Sequence, residues 1–95
     1  MTTAAVRRSA LARGRVREVT KEQCRAARAL LGWSLDELAK QAEIGRNAIH
    51  MFEAGNRTPH RATIKSLRLA LEQAGVEFLD NGKGPGVRLI RRDDA

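Results

Sequence analysis

The chain has 95 residues, a formal net charge of +7, and 42% hydrophobic but only 3% aromatic residues. Its length favours a single domain, one cysteine excludes an internal disulfide, and no apolar run is long enough to span a membrane. The excess of positive charge favours a polyanionic partner, usually nucleic acid, over a role in solubility alone.

Residues 1–19 are predicted to be a basic flexible tail. No convincing apolar stripe runs through them, and a single glutamate accompanies five arginines, which are Arg7, Arg8, Arg13, Arg15 and Arg17. Because no hydrophobic stretch follows these arginines, the segment is not a secretory signal, and we expect a cytoplasmic protein. The tail is either a leader without a role or an arm that contacts DNA phosphates or a groove.

The first helix is predicted over Lys21–Leu31. Thr20 and Gln23 have the spacing of a capping box, in which the two side chains satisfy free backbone N–H groups at the start of a helix. Gly32 then provides the left-handed residue that ends the helix. Cys24 lies on the apolar face, where we expect a small buried hydrophobe rather than a nucleophile.

The second helix is predicted to begin after Ser34, which has capping-box spacing with Glu37. A turn over residues 43–45 follows, and we expect Gly45 to permit its tight backbone.

The third helix is predicted over Arg46–Ala54, with Ile49 and Phe52 pointing inward. This helix, the tight turn and the second helix together have the order of a helix-turn-helix unit, which presents one helix to the major groove of DNA.

The fourth helix is predicted to start with Thr58 as its cap and Pro59 as its first residue, and to end near Ala74. Beyond it the periodicity changes, because "VEFLD" and "VRLIRR" flank the turn-forming "NGKGPG" and indicate a β-hairpin. The predicted organisation is therefore a helical domain over 20–75 and a hairpin extension with a frayed end over 76–95. Since an isolated hairpin is marginally stable, it must pack on the fourth helix, pair with another chain, or both.

The segments "RALLGWS", "DELA", "IGRNAI" and "FEAGNRTP" resemble the Cro/C1-type helix-turn-helix family, also called the XRE family, which includes phage repressors. The resemblance covers Gln23 to Pro59. It implies a mostly α fold, a four-helix lambda-repressor-like domain, here with a C-terminal β-hairpin in place of a final helix. The ending "AGVEFLDNGKGPGVRL" looks like that of small stand-alone regulators of α-proteobacteria.

The resemblance also implies roles for individual residues. Arg28 and Glu53 match a structural ion pair between the first helix and the end of the recognition helix, and a half-buried charge needs such a partner. In the third helix Arg46, Asn47, His50 and Met51 should point outward, and Asn56, Arg57 and Thr58 in the following loop sit where family members hold the phosphate backbone. Lys40 in the second helix would add a cation to the salt-dependent contacts.

Two positions depart from the family pattern. Leu35 replaces a glutamine that clamps phosphate, and Met51 replaces a polar or basic residue on the recognition surface. Met adapts its shape to protein surfaces, so two functions stay open. One is a dimeric repressor that binds operator DNA, and the other is an antiactivator or antirepressor that binds a transcription factor through Leu35 and Met51.

The sequence argues against an enzyme, but it cannot distinguish a regulator from an antitoxin. We expect no enzyme activity, because no acid–base pair, nucleophile–base pair or metal cluster is visible, and no cofactor or metal. An antitoxin of a toxin–antitoxin pair would share the fold. The expected partner is double-stranded DNA or a transcription-factor protein, with homodimerisation and without a membrane.

Overall fold

A computed structural model describes residues 18–80 and 82–90 of the chain. The expected tail residues 1–17 and the end at 91–95 lie outside the described residues. Within these described ranges, four helices precede two strands: α1 (Lys21–Leu31), α2 (Leu35–Ala42), α3 (Arg46–Glu53), α4 (Arg61–Gln73), β1 (Val76–Asp80) and β2 (Pro85–Leu89). This confirms the predicted mostly α fold with a C-terminal hairpin. None of the helices in this part of the chain has the length and hydropathy needed to cross a bilayer.

Helix α1 has the predicted bounds and caps. The Thr20 hydroxyl accepts from the Gln23 backbone N–H at 3.0 Å, and the Gln23 side chain accepts from the Thr20 backbone N–H at 3.1 Å. Gly32 ends the helix in the left-handed conformation with φ 70°. Both ends are therefore set by contacts within a few residues of chain.

Only half of the second predicted capping box forms. The Ser34 hydroxyl accepts from the Glu37 backbone N–H at 3.1 Å. The Glu37 carboxylate instead accepts from the Gln41 amide at 2.9 Å, one turn further along the exposed face of α2. The (i, i+4) contact within the helix thus takes the place of the return bond.

In the turn between α2 and α3, the residue with the unusual backbone conformation is not the one predicted. Glu43 has φ 58° and is left-handed, whereas Gly45 has an ordinary φ of −60°. The backbone N–H groups of Glu43 and Ile44 both donate to the Ala39 carbonyl, as in the motifs that terminate helices with a left-handed residue. The residue that needs a positive φ is therefore Glu43, directly after α2, and not Gly45, directly before α3.

The start of α4 also differs from the prediction. The N-cap is His60, whose carbonyl accepts from the backbone N–H groups of Thr63 and Ile64. Thr58 and Pro59 therefore precede the helix, where the fixed φ of proline suits the extended link from α3.

The core lies where the four helices meet and the hairpin covers them. Its buried apolar residues are Val19, Cys24, Ala27, Leu38, Ala42, Ile49, Phe52, Ile64, Leu67, Ala70, Leu71, Val76 and Phe78. Aliphatic side chains dominate, as the scarcity of aromatic residues predicts. Val19, at the end of the segment expected to be tail, is 3% exposed and belongs to this core.

The hairpin is fastened to α1 by Gln23. Its amide donates to the carbonyls of Leu79 at 3.3 Å and Gly86 at 2.9 Å, one from each strand. On the other side, the Arg68 guanidinium of α4 lies 4.9 Å from the centre of the Phe78 ring. The hairpin thus packs on the helices of its own chain, as one of the two predicted arrangements requires.

Arg28 and Glu53 form a bidentate ion pair between α1 and the end of α3. The Arg28 Nε and Nη2 atoms donate to the two Glu53 carboxylate oxygens at 2.9 and 2.7 Å. Arg28 Nη1 donates to the Trp33 carbonyl, and the Cys24 thiol donates to Glu53 Oε2 at 3.2 Å. Glu53 is 6% exposed, so its charge is compensated by these contacts rather than by water.

The turn geometry predicts that Glu43→Gly stabilises the protein. Glycine removes the cost of the left-handed conformation at position 43, about 1–2 kcal/mol. Glycine also makes the unfolded chain more flexible, which offsets about 0.4–1 kcal/mol of that gain. We expect a net gain of about 0.5–1 kcal/mol and a rise in Tm of about 2–8 °C, measured by thermal unfolding followed by circular dichroism.

Gly45→Ser is the matched substitution in the same turn. A Cβ on Gly45 would meet no atom within 4 Å among the described residues, and a serine hydroxyl can cap α3. We expect no loss of stability. A fall in Tm with Gly45→Ser and none of the gain with Glu43→Gly would mean that Gly45 is the constrained residue.

The ion pair predicts that Arg28→Ala lowers the free energy of unfolding by about 3–5 kcal/mol, because the Glu53 charge stays buried without its counter-ion. Arg88→Ala is the control: it removes an ion pair with Glu77 of the same 2.7 Å length on the surface of the hairpin, and the expected change is about 1 kcal/mol or less. Urea unfolding measures both. Similar losses in the two variants would rule out a special role for the buried pair.

Candidate nucleic-acid interface

Helix α3 presents a polar face to solvent. Arg46, Asn47 and His50 are exposed, whereas Ile49 and Phe52 are buried in the core. Three side chains able to hydrogen-bond therefore share the outer side of one short helix. Arginine pairs with guanine and asparagine with adenine through two hydrogen bonds each, so this face has the chemistry needed to read base edges.

Leu35 and Met51, the two apolar residues that depart from the family pattern, are less exposed than a partner-binding role predicts. Leu35 is half-buried and packs against the core cluster, and Met51 is half-buried at the rim of the α3 face. Leu35 is less exposed than expected because it is the first residue of α2 and packs against the buried apolar side chains of the core. Leu35 therefore offers only part of its side chain to a partner.

The loop after α3 is exposed and tightly closed. Gly55 is left-handed with φ 81°, and the Asn56 backbone N–H donates to the Met51 carbonyl at 2.9 Å. Asn56, Arg57 and Thr58 are all exposed. The loop thus brings a guanidinium, an amide and a hydroxyl to the end of α3.

Lys21 is a neighbour of this loop that the sequence analysis did not select. A Cβ on Gly55 would lie 3.3 Å from the Lys21 Cε atom, so the lysine stem crosses directly over the glycine. Its ammonium group is exposed and pairs with Glu22 at 3.3 Å. Thirty-four positions separate Lys21 from Gly55, and no periodic pattern in the sequence connects them.

The charges around α3 are mixed. Lys40 and Arg57 are exposed cations, whereas Asp36 and Glu37 are carboxylates in the first turn of α2. The Asp36 carboxylate lies 2.9 Å from the Arg46 Nε atom. Asp36 was not selected from the sequence, where an acid at this position is explained by its favourable interaction with the helix dipole.

The buried thiol has no features of a reactive group. Burial is the main factor that raises the pKa of Cys24, and the hydrogen bond to Glu53 raises it further. The thiol therefore stays protonated and acts as a donor inside the ion-pair network. Arg28 of α1 and Glu53, the last residue of α3, meet on the buried side of α3 and hold the end of the helix in place.

The surface as a whole consists of the outer face of α3, the exposed residues of α2 and the loop at 55–58. It can donate and accept hydrogen bonds along one protruding helix and offers cations beside it. The sequence-predicted residues that the fold brings to this surface are Lys40, Arg46, Asn47, His50, Met51, Asn56, Arg57 and Thr58, with Leu35 partly withdrawn.

Comparison with known proteins agrees with this geometry. A helix-turn-helix family model matches residues 25–75, which is just over half of the 95 residues and extends from α1 to the end of α4. No curated protein matches the chain. With the four-helix arrangement, the exposed polar face of α3 and this match in place, the chain belongs to the XRE-type helix-turn-helix family of DNA-binding regulators.

Proposed function

We propose that this protein is a transcriptional repressor that binds operator DNA as a homodimer, with α3 in the major groove. The supporting observation is the orientation of α3, whose Arg46, Asn47 and His50 side chains are exposed while Ile49 and Phe52 are buried. In this role Arg46 reads guanine and Asn47 reads adenine. In this role the protein would act in the cytoplasm, as expected from the sequence.

The residues beside α3 supply the contacts to phosphate. Arg57 and Lys40 are exposed cations, and Asn56 and Thr58 can donate to phosphate oxygens. The arginines of residues 1–17 add to the same charge. These contacts set the register of the protein on the duplex and make its affinity depend on salt concentration.

The hairpin is the proposed dimer element. The described sheet has two strands, so each strand has one edge without a neighbouring strand, and Ile90 and Leu89 beside it are 49% and 40% exposed. Joining two hairpins would cover these side chains. A two-fold dimer would set its recognition helices about 34 Å apart, one turn of DNA, on a pseudo-palindromic site.

An antiactivator that binds a transcription factor is the second candidate. Its support is the carboxylate pair of Asp36 and Glu37 at the start of α2, where negative charge opposes the approach of phosphate. Met51 is its apolar anchor, since Leu35 packs largely against the core. Met51→Asp would then abolish binding to the transcription factor.

The first proposal predicts distinct effects for two variants in a gel shift with the DNA upstream of the protein's own gene. Arg57→Ala should weaken binding to every duplex and reduce the slope of log K against log salt by about 0.9. Asn47→Ala should lower operator affinity by about 1–3 kcal/mol and leave binding to unrelated DNA unchanged.

Lys65→Ala is the control for charge, because it removes one exposed cation from α4, outside the proposed surface. It should change neither the operator affinity nor the salt slope by a comparable amount. A protein that binds no duplex at low salt but captures a transcription factor would instead support the antiactivator.

The proposed dimer predicts that Ile90→Glu yields a monomer in light scattering or sedimentation, because a charge would be placed inside the joined hairpins. Leu69→Glu is the matched control, since Leu69 is 54% exposed on α4 and should leave the dimer intact. A wild-type chain that is monomeric at the concentrations used for DNA binding would contradict the hairpin interface.

A further inference from the structure

The Asp36–Arg46 ion pair joins the start of α2 to the start of the recognition helix. The Asp36 Oδ1 and Arg46 Nε atoms are 2.9 Å apart, and the two side chains are 78% and 59% exposed. Water surrounds both charges, so such a pair contributes little to folding stability. The ion pair is therefore more important for the surface on which it lies than for the stability of the fold.

Arg46 occupies the first position of α3 and carries a long side chain with many rotamers. A free guanidinium at this position would have to be ordered when DNA binds, which reduces affinity for the correct base. The Asp36 carboxylate lies beside Nε, the nitrogen nearest the side-chain stem. This arrangement leaves the two terminal nitrogens as the pair that can reach O6 and N7 of guanine.

The carboxylate has a second effect because it is an uncompensated anion when Arg46 moves away. On a duplex without guanine at the matching position, Arg46 would turn toward phosphate and leave Asp36 facing the negatively charged backbone. On the correct duplex, Arg46 can contact both guanine and Asp36. The carboxylate therefore disfavours wrong sites, which is how specificity is commonly built.

We propose, on the basis of the function proposed above, that Asp36 is a positioning residue that orients Arg46 for guanine and raises discrimination at one base pair. Asp36 itself makes no contact with the base. The two residues are ten positions apart in the sequence, on two helices, so the tight turn at residues 43–45 is what brings them together.

The test is a selection of bound sequences from duplexes with a randomised centre, using the full chain as wild type and as three variants. Asp36→Ala removes both the oxygen beside Arg46 and the negative charge. Asp36→Asn removes the charge but keeps an oxygen at the same place. Glu37→Ala removes one negative charge from the same turn of α2, where Glu37 contacts Gln41 and not Arg46.

All three variants should bind unrelated duplexes more tightly than the wild type by a similar factor, since each loses one anion. A bidentate guanine contact discriminates by about 5- to 150-fold. Asp36→Ala should lose at least about fivefold of this preference at one guanine position. Asp36→Asn should lose less, because it keeps an oxygen beside Nε and removes only the charge, and Glu37→Ala should keep the preference. Circular dichroism checks that the variants keep the helical content of the wild type.

The outcomes separate the two proposals. If the wild type selects no sequence motif, the proposed DNA function fails, and the role of Asp36 fails with it. If the wild type selects a motif containing guanine and Asp36→Ala selects the same motif with the same preference, only the role of Asp36 is overturned. An equal loss of preference in Glu37→Ala would also overturn it, because charge alone would then explain the effect.

Discussion

The structure depends on the compensation of one buried charge, the carboxylate of Glu53. It lies in the last residue of α3, and Arg28 of α1 meets both of its oxygens while Cys24 donates to one of them. Because Ile49 and Phe52 are buried on the same helix, charge and packing together fix how α3 is rotated about its own axis. The residues left on the outer side follow from that rotation.

The outer surface combines cations with carboxylates rather than forming a uniformly basic patch. Lys40, Asp36 and Glu37 lie on α2, Arg57 lies in the loop after α3, and Lys40 and Arg57 are exposed. A uniformly basic surface would bind any duplex. A mixed surface lowers affinity for unmatched DNA, and so the acids at the start of α2 are consistent with selective rather than general binding.

The small size of the domain explains why single side chains serve several contacts. Gln23 caps α1 through Thr20 and also holds both strands of the hairpin through the carbonyls of Leu79 and Gly86. In this way the hairpin covers part of the core. Each of these bonds satisfies a backbone group that would otherwise lie in the interface without a partner.

Sequence alone determined the features that depend on neighbours three or four residues apart. These include the cap of α1 at Thr20, its end at Gly32, the inward face of α3 and the strands of the hairpin. The family motif predicted Arg28 as the partner of Glu53. Only the tertiary structure decided that Glu43 takes the left-handed conformation, that Leu35 is half-buried, and that Asp36 forms an ion pair with Arg46. Those outcomes depend on how two helices cross, and a crossing brings together residues whose spacing in the chain follows no period.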